Sequence, residues 1–269
     1  MPLEHRAAAG MSEPDRGGIA ILDCGDSAVV ARAVTADAEH NWRLVHTLAD
    51  AFDAVRPDGV YGVVPAYDSL LVEFDCTGTD HGTVRRALRE TADRLGAGGD
   101  RLGSDGDRLG AAQEPAGPRT SRRFLVPVVY GGEYGPDLPV VARQLGISEA
   151  EVVALHSGAD LTVRCLGAPA GAPMTDGPPF PAPVPRLASP RTRVLPGSVA
   201  VAGRQAVICP LPSPGGWPLL GRTPLRVLDP DADPMTPYRP GDTFRFEPIA
   251  PERWDDYAGV PLAAAVTHG

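Results

Sequence analysis

Two arginine-bearing segments hold most of the chemistry this sequence offers. In Ser189-Pro190-Arg191-Thr192-Arg193 the arginines alternate. On an extended backbone Arg191 and Arg193 therefore share a face, with Thr192 opposite. Paired guanidinium groups are suited to holding a carboxylate or phosphate through forked, charge-assisted hydrogen bonds. Downstream, Ser213-Pro214-Gly215-Gly216-Trp217-Pro218-Leu219-Leu220-Gly221-Arg222-Thr223-Pro224 is too interrupted for a helix. Its glycines, Gly215 and Gly216 among them, let backbone approach a ligand closely. Ser213, Arg222 and Thr223 add donors, and Trp217 can wall a pocket or plug a barrel end. The two segments together imply an anion-binding site built on loops.

Other candidates are weaker. His156, followed by Ser157 and Gly158, reads as a helix C-terminus, where a protonated imidazole is favoured by the helix dipole; general acid or base work is the rival reading. Glu133 and Asp137 could serve as acids, although an aspartate at a helix start more often caps. Cys24, Cys76, Cys165 and Cys209 form no C-x-x-C pair and read as small core hydrophobes, and the histidines show no H-x-x-x-H spacing. No metal cage is expected. All 25 basic residues are arginine, which excludes P-loop, Schiff-base and carrier lysine chemistry. A net charge of −9 argues against nucleic acid or an anionic membrane as partner, and no apolar run is long enough to span a bilayer. The expected location is cytoplasmic.

These residues must be positioned by two domains. Residues 1–18 read as a disordered leader. Residues 19–95 give the order ββαββα: apolar β-branched runs at Ile19–Leu22, Ala28–Val34, Val60–Val64 and Ser69–Asp75, with amphipathic helices over Ala36–Val55 and Thr83–Leu95. Residues 96–122 form a Gly-rich linker, in which Asp-Arg-Leu-Gly recurs from Asp93, Asp100 and Asp107. Residues 123–249 supply many short strands between Gly/Pro turns, a closed or nearly closed barrel. Its expected elements are strands at Arg123–Tyr130, Leu161–Leu166, Ser198–Val201, Ala206–Leu211, Leu225–Leu228 and Thr243–Pro248, and helices over Asp137–Gly146 and from Ser148 to His156. Residues 250–269 read as a loose tail. The fold class is α+β.

The ordered set Pro127-Val128-Val129-Tyr130-Gly131-Gly132-Glu133-Tyr134-Gly135-Pro136-Asp137-Leu138, then Arg191-Thr192-Arg193, then Gly197-Ser198-Val199 with Gly203 and Gln205, then Ser213 to Pro224, resembles one family. That family is the 5-oxoprolinase B subunits, also called the first subunit of allophanate hydrolase, which includes an inhibitor of a sporulation sensor kinase. The resemblance implies a cyclophilin-like barrel and one component of an ATP-dependent 5-oxoprolinase, incomplete without a C subunit and an A subunit. It implies catalytic roles for Arg191, Arg193 and Arg222. Thr192, Gln205, Ser213, Gly215, Gly216, Trp217, Thr223 and His156 would bind substrate, with ATP consumed at a site shared with a partner. Regulation of a sensor histidine kinase, or a catalytically altered paralogue, is the alternative. The family's aromatic loop is absent: Gly167-Ala168-Pro169-Ala170-Gly171-Ala172-Pro173-Met174 carries alanines where phenylalanines are expected, a change that would widen a pocket.

Overall fold

A computed structural model describes residues 18–99 and 121–265. The chain divides into two units, residues 1–118 and 119–269. The leader reading and most of the linker reading lie outside the described residues.

In the first unit the chain order is β1 (Ile19–Cys24), β2 (Ala28–Ala33), α1 (Ala38–Asp53), β3 (Val60–Pro65), β4 (Ser69–Phe74) and α2 (His81–Gly99). The strands form one antiparallel sheet in the order β1-β2-β4-β3. Alternation puts Val29, Ala31, Leu70, Val72 and Phe74 into one buried cluster with Val45, Leu48 and Phe52 of α1 and Val84 and Leu88 of α2. Asp37 starts α1 by accepting from the Glu39 and His40 N–H groups, two residues later than the apolar spacing predicts. Val55, the last residue of the expected helix, lies past its end and is exposed. At the other end, α2 runs through Gly96 to Gly99, residues expected to open the linker. A helix already packed through Val84 and Leu88 propagates at small cost per added residue, and this outweighs the glycine penalty for one more turn. Cys24 and Cys76 are exposed, against the core reading; only Cys165 is buried and Cys209 partly so.

The second unit begins with β5 (Arg123–Tyr130), α3 (Leu138–Leu145), α4 (Glu149–Gly158) and β6 (Asp160–Gly167). It continues through β7 (Ala172–Asp176), β8 (Arg191–Val194), β9 (Ser198–Ala202), β10 (Gln205–Ile208), β11 (Ser213–Gly215), β12 (Leu219–Arg222) and β13 (Thr243–Pro248). Seven strands close a barrel in the order β10-β7-β6-β13-β5-β12-β9, while β8 and β11 pair as a separate ribbon. All barrel pairs are antiparallel except β5 with β13. Inward positions fill the barrel with Phe124, Val126, Val128, Val163, Val201, Ile208, Leu220, Phe244 and Phe246. Ser148 and Glu151 close a reciprocal capping box at the start of α4.

Several expectations are corrected here. Leu225–Leu228 is not a strand; Pro224 precedes it, and only Arg226 makes a single bridge, to Pro261. The segment with alanines in place of the family aromatics is the β6–β7 hairpin, its turn carried by Ala170 and Gly171 at positive φ. The segment read as a tail folds into a 3₁₀ turn at Pro251–Arg253 and the short α5 (Trp254–Tyr257). From there it lies along the barrel: the Gly259 N–H donates to the Pro224 carbonyl, the Leu262 N–H to Arg226 and the Ala265 N–H to Arg123. Leu262 is buried in the barrel cluster, so apolar burial holds this end in place.

Candidate functional site

The turn between β5 and α3 presses directly on β12. The Gly131 N–H donates to the Leu220 carbonyl at 3.0 Å, and the Asp137 N–H to the Leu219 carbonyl at 3.1 Å. Contact is so close at Gly135 that a Cβ there would sit 1.9 Å from the Leu220 oxygen, which only glycine permits. Asp137 occupies the N-cap of α3 but makes no side-chain capping bond. Its buried carboxylate instead accepts from Arg191 Nη2 at 2.7 Å and from the Leu219 N–H at 2.8 Å. One aspartate thus ties the β5–α3 turn, the β8 ribbon and β12 together.

That tie creates a cleft of about 210 Å³, lined among others by Glu133, Tyr134, Arg191, Arg193, Ser198 and Arg222. The three arginines come from two segments and converge on it. They do so in different states. Arg191 is clamped by Asp137, and its other terminal nitrogen, Nη1, is buried without a hydrogen-bond partner. Arg193 is exposed and makes no ion pair among the described residues. Arg222 donates from Nε to the Pro196 carbonyl at 2.8 Å and lies under the Trp254 ring, 5.2 Å from its centroid. Burial pulls its pKa below the ordinary arginine value. Converging guanidinium groups with one carboxylate at the rim can bind a small anion and stabilise charge that develops on it.

A second cleft, of about 240 Å³, opens on the far side of Arg222 and includes Pro196, Gly197, Thr223, Leu225 and Trp254. Here the Gly197 φ of +81° and a would-be Cβ only 2.3 Å from the Thr223 carbonyl require glycine. The Thr223 side chain is buried, and its hydroxyl accepts from the Leu225 N–H at 3.3 Å.

The remaining candidates line neither cleft. Thr192 is exposed on the opposite face of β8, and Gln205 sits on β10 beside Asp176 and Ala202. Ser213 and Gly215 pair with Val194 and Arg191, so they hold the arginine ribbon in place. The Gly216 carbonyl accepts from the Leu187 N–H at 2.8 Å. Trp217 packs with Val194 and Leu219 and stacks under Arg186 at 5.8 Å, a supporting wall. His156 is the clearest correction. It has no exposed surface, packs 4.4 Å from the Phe246 ring and bonds through Nδ1 to the Tyr130 hydroxyl at 2.7 Å. Desolvation drives its pKa down to about 3 and pushes the Tyr130 phenol up. An imidazole held neutral in the core is neither a dipole-favoured cation nor within reach of a cleft ligand. The alanine-bearing turn at 168–171 also lines neither cleft.

Sequence reasoning missed Tyr134 and Trp254 and ranked Asp137 low. Tyr134 stands inside the quoted Gly-Gly-Glu-Tyr-Gly turn, so a signal was present. Trp254 had none, since its segment shows no periodicity. No group of three or more potential metal ligands occurs among the described residues, and no helix among them is long and apolar enough to cross a membrane.

Comparison with known proteins agrees with the architecture. The model of the carboxyltransferase domain, subdomain C and D, matches residues 19–238. A Bacillus subtilis protein named as the B subunit of 5-oxoprolinase is 32% identical over 248 residues, 88% of this chain and 95% of that protein. An Escherichia coli O157:H7 protein of the same name is 47% identical over 128 residues, 48% of this chain and 59% of that protein. Among solved structures, TTHA0988 aligns with a TM-score of 0.65 at 34% identity, covering 84% of this chain and 40% of that one. The Kluyveromyces lactis urea carboxylase aligns at 0.70 with 16% identity, covering 96% of this chain and 25% of that one, a likeness of fold.

Proposed function

This chain belongs to the family of carboxyltransferase domains, subdomains C and D, that includes the 5-oxoprolinase B subunits, and we propose that it is one part of an ATP-dependent lactam hydrolase opening 5-oxo-L-proline to L-glutamate. The observation that carries the reading is the convergence of Arg191, Arg193 and Arg222 on one small cleft. At about 210 Å³ it is smaller than the roughly 300–1,000 Å³ common for drug-sized ligands. This suits a single five-membered ring bearing a carboxylate and leaves ATP to a surface shared with another subunit.

A lactam carbonyl is a poor electrophile. Phosphoryl transfer from ATP to its oxygen, with release of ADP, makes the ring carbon reactive. One water adds, the C–N bond breaks to leave an acyl phosphate, and a second water hydrolyses that to glutamate and phosphate. In this reading Arg191, aimed by Asp137, and Arg193 hold the substrate carboxylate, while Arg222 faces the charge gained on the carbonyl side. The described cleft contains no paired nucleophile and base, which supports a site completed by C and A subunits in a cytoplasmic hetero-oligomer. We read the barrel as cyclophilin-like.

The test is ATP-dependent glutamate release from 5-oxo-L-proline by this chain co-expressed with its A and C homologues. Arg193→Ala is the informative variant, because its exposed side chain makes no ion pair or hydrogen bond among the described residues; kcat/KM should fall at least tenfold. A well-formed complex that releases no glutamate ends this reading and moves regulation of a sensor kinase to first place.

A further inference from the structure

Among the described residues Arg222 alone lines both clefts, and its position is not set by its own strand alone. Its Nε is fixed by the Pro196 carbonyl at 2.8 Å, while the rest of the guanidinium has no ion-pair partner among the described residues. The Trp254 ring covers it at 5.2 Å and packs against Tyr134 as well, with centroids 4.9 Å apart and planes tilted by 35°. Tyr134 itself lines the anion cleft. One indole therefore touches two residues of that cleft from behind.

Trp254 is held from both sides. On one side the Ile249 N–H donates to the Val128 carbonyl at 2.9 Å. On the other, the Gly259 N–H donates to Pro224, the Arg226 N–H to Val260 and the Leu262 N–H to Arg226, and Leu262 is buried in the barrel cluster. The Pro251–Arg253 turn and α5 lie between these anchors. The segment itself, Ile249 to Leu262, stands beyond residue 238, where the family match ends, while its anchors lie inside the match. A segment pinned this tightly that ends its contacts on two cleft residues is built to place them.

We propose that Trp254 is a positioning residue for the anion cleft, fixing the Arg222 guanidinium and the Tyr134 ring so that the cleft binds its ligand pre-organised. The proposal rests on reading the cleft as an anion site. A flat indole suits this work, since a cation over its face is attracted without a competing carboxylate that would neutralise it. A guanidinium held in place before binding loses less rotamer freedom when the ligand arrives. Desolvation around Arg222, visible in its lowered pKa, strengthens each interaction it makes.

The experiment uses the full chain and 5-oxo-L-proline as probe, with affinity by calorimetry and the Arg222 Nε–H resonance in an isotope-labelled sample. Trp254→Ala should weaken binding about five- to tenfold and move the Arg222 resonance, which loses the ring-current effect of the indole. Trp254→Phe should keep affinity within about twofold. Arg222→Ala should weaken binding at least as much as Trp254→Ala, and the double variant should lose less than the sum of the two single losses, the remainder being the Tyr134 contact. Additive losses, or an Arg222 resonance unmoved by Trp254→Ala, overturn the positioning role. If Arg222→Ala binds the probe as the wild type does, the anion-site reading falls instead, and the resonance still decides whether Trp254 places Arg222.

Discussion

Two of the barrel's polar constellations are assembled on opposite terms. In the cleft, Arg191 of β8 meets a buried aspartate, while Arg193 of β8 and Arg222 of β12 keep part of their donor capacity open to the same space. In the core, His156 and Tyr130 meet only each other among apolar rings, and their pKa values move away from neutrality in opposite directions. Both contain residue types that do chemistry. The difference teaches that a site needs a charged group whose desolvation is only partial and whose remaining hydrogen-bonding capacity faces a space. A group sealed from solvent on every side adjusts its protonation state and becomes structure.

The largest expected effect breaks the inner half of the cleft. Asp137→Ala leaves the Leu219 N–H and the guanidinium of Arg191 without their shared acceptor and should lower unfolding free energy by about 2–4 kcal/mol, measured by urea denaturation. A loss below about 0.5 kcal/mol would mean the clamp is dispensable and the contrast with the core pair is overstated.

Next is the pH response of the sealed pair. The His156 pKa is depressed in the folded state, so between about 6.5 and 3 the unfolded chain binds the extra proton. The stability of the neutral imidazole is fully present above pH 6.5 and is lost as pH falls toward 3, at up to about 1.4 kcal/mol per pH unit. His156→Gln should flatten unfolding free energy in this window; equal slopes for both proteins would remove His156 as the cause. The smallest effect sharpens the outer half of the cleft. Arg193→Ala should change stability by no more than about 0.5 kcal/mol, because the side chain is exposed and unpaired among the described residues. A larger loss would mean that Arg193 is structural.

How far the sequence could be read depended on how local each cause was. The capping box of Ser148 and Glu151, the strands over Arg123–Tyr130 and Thr243–Pro248, and the alternation that puts Arg191 and Arg193 on one cleft were legible, because each is fixed by neighbours a few residues apart. Strands β7, β11 and β12 were not, since prolines and glycines mask their period and pairing with neighbouring strands supplies what propensity lacks. Cys24 and Cys76 are exposed for a related reason: they stand at and just beyond the ends of β1 and β4, and a neighbouring apolar run does not say where burial stops.

By itself, then, the sequence determined the local elements, the absence of lysine chemistry and the arginine pair. Only the tertiary structure decided that Asp137 would serve Arg191 rather than cap α3, that His156 would be sealed away, and that Trp254 would reach Arg222. Those outcomes depend on where distant segments are forced together when the barrel closes, and no spacing along the chain encodes such a meeting.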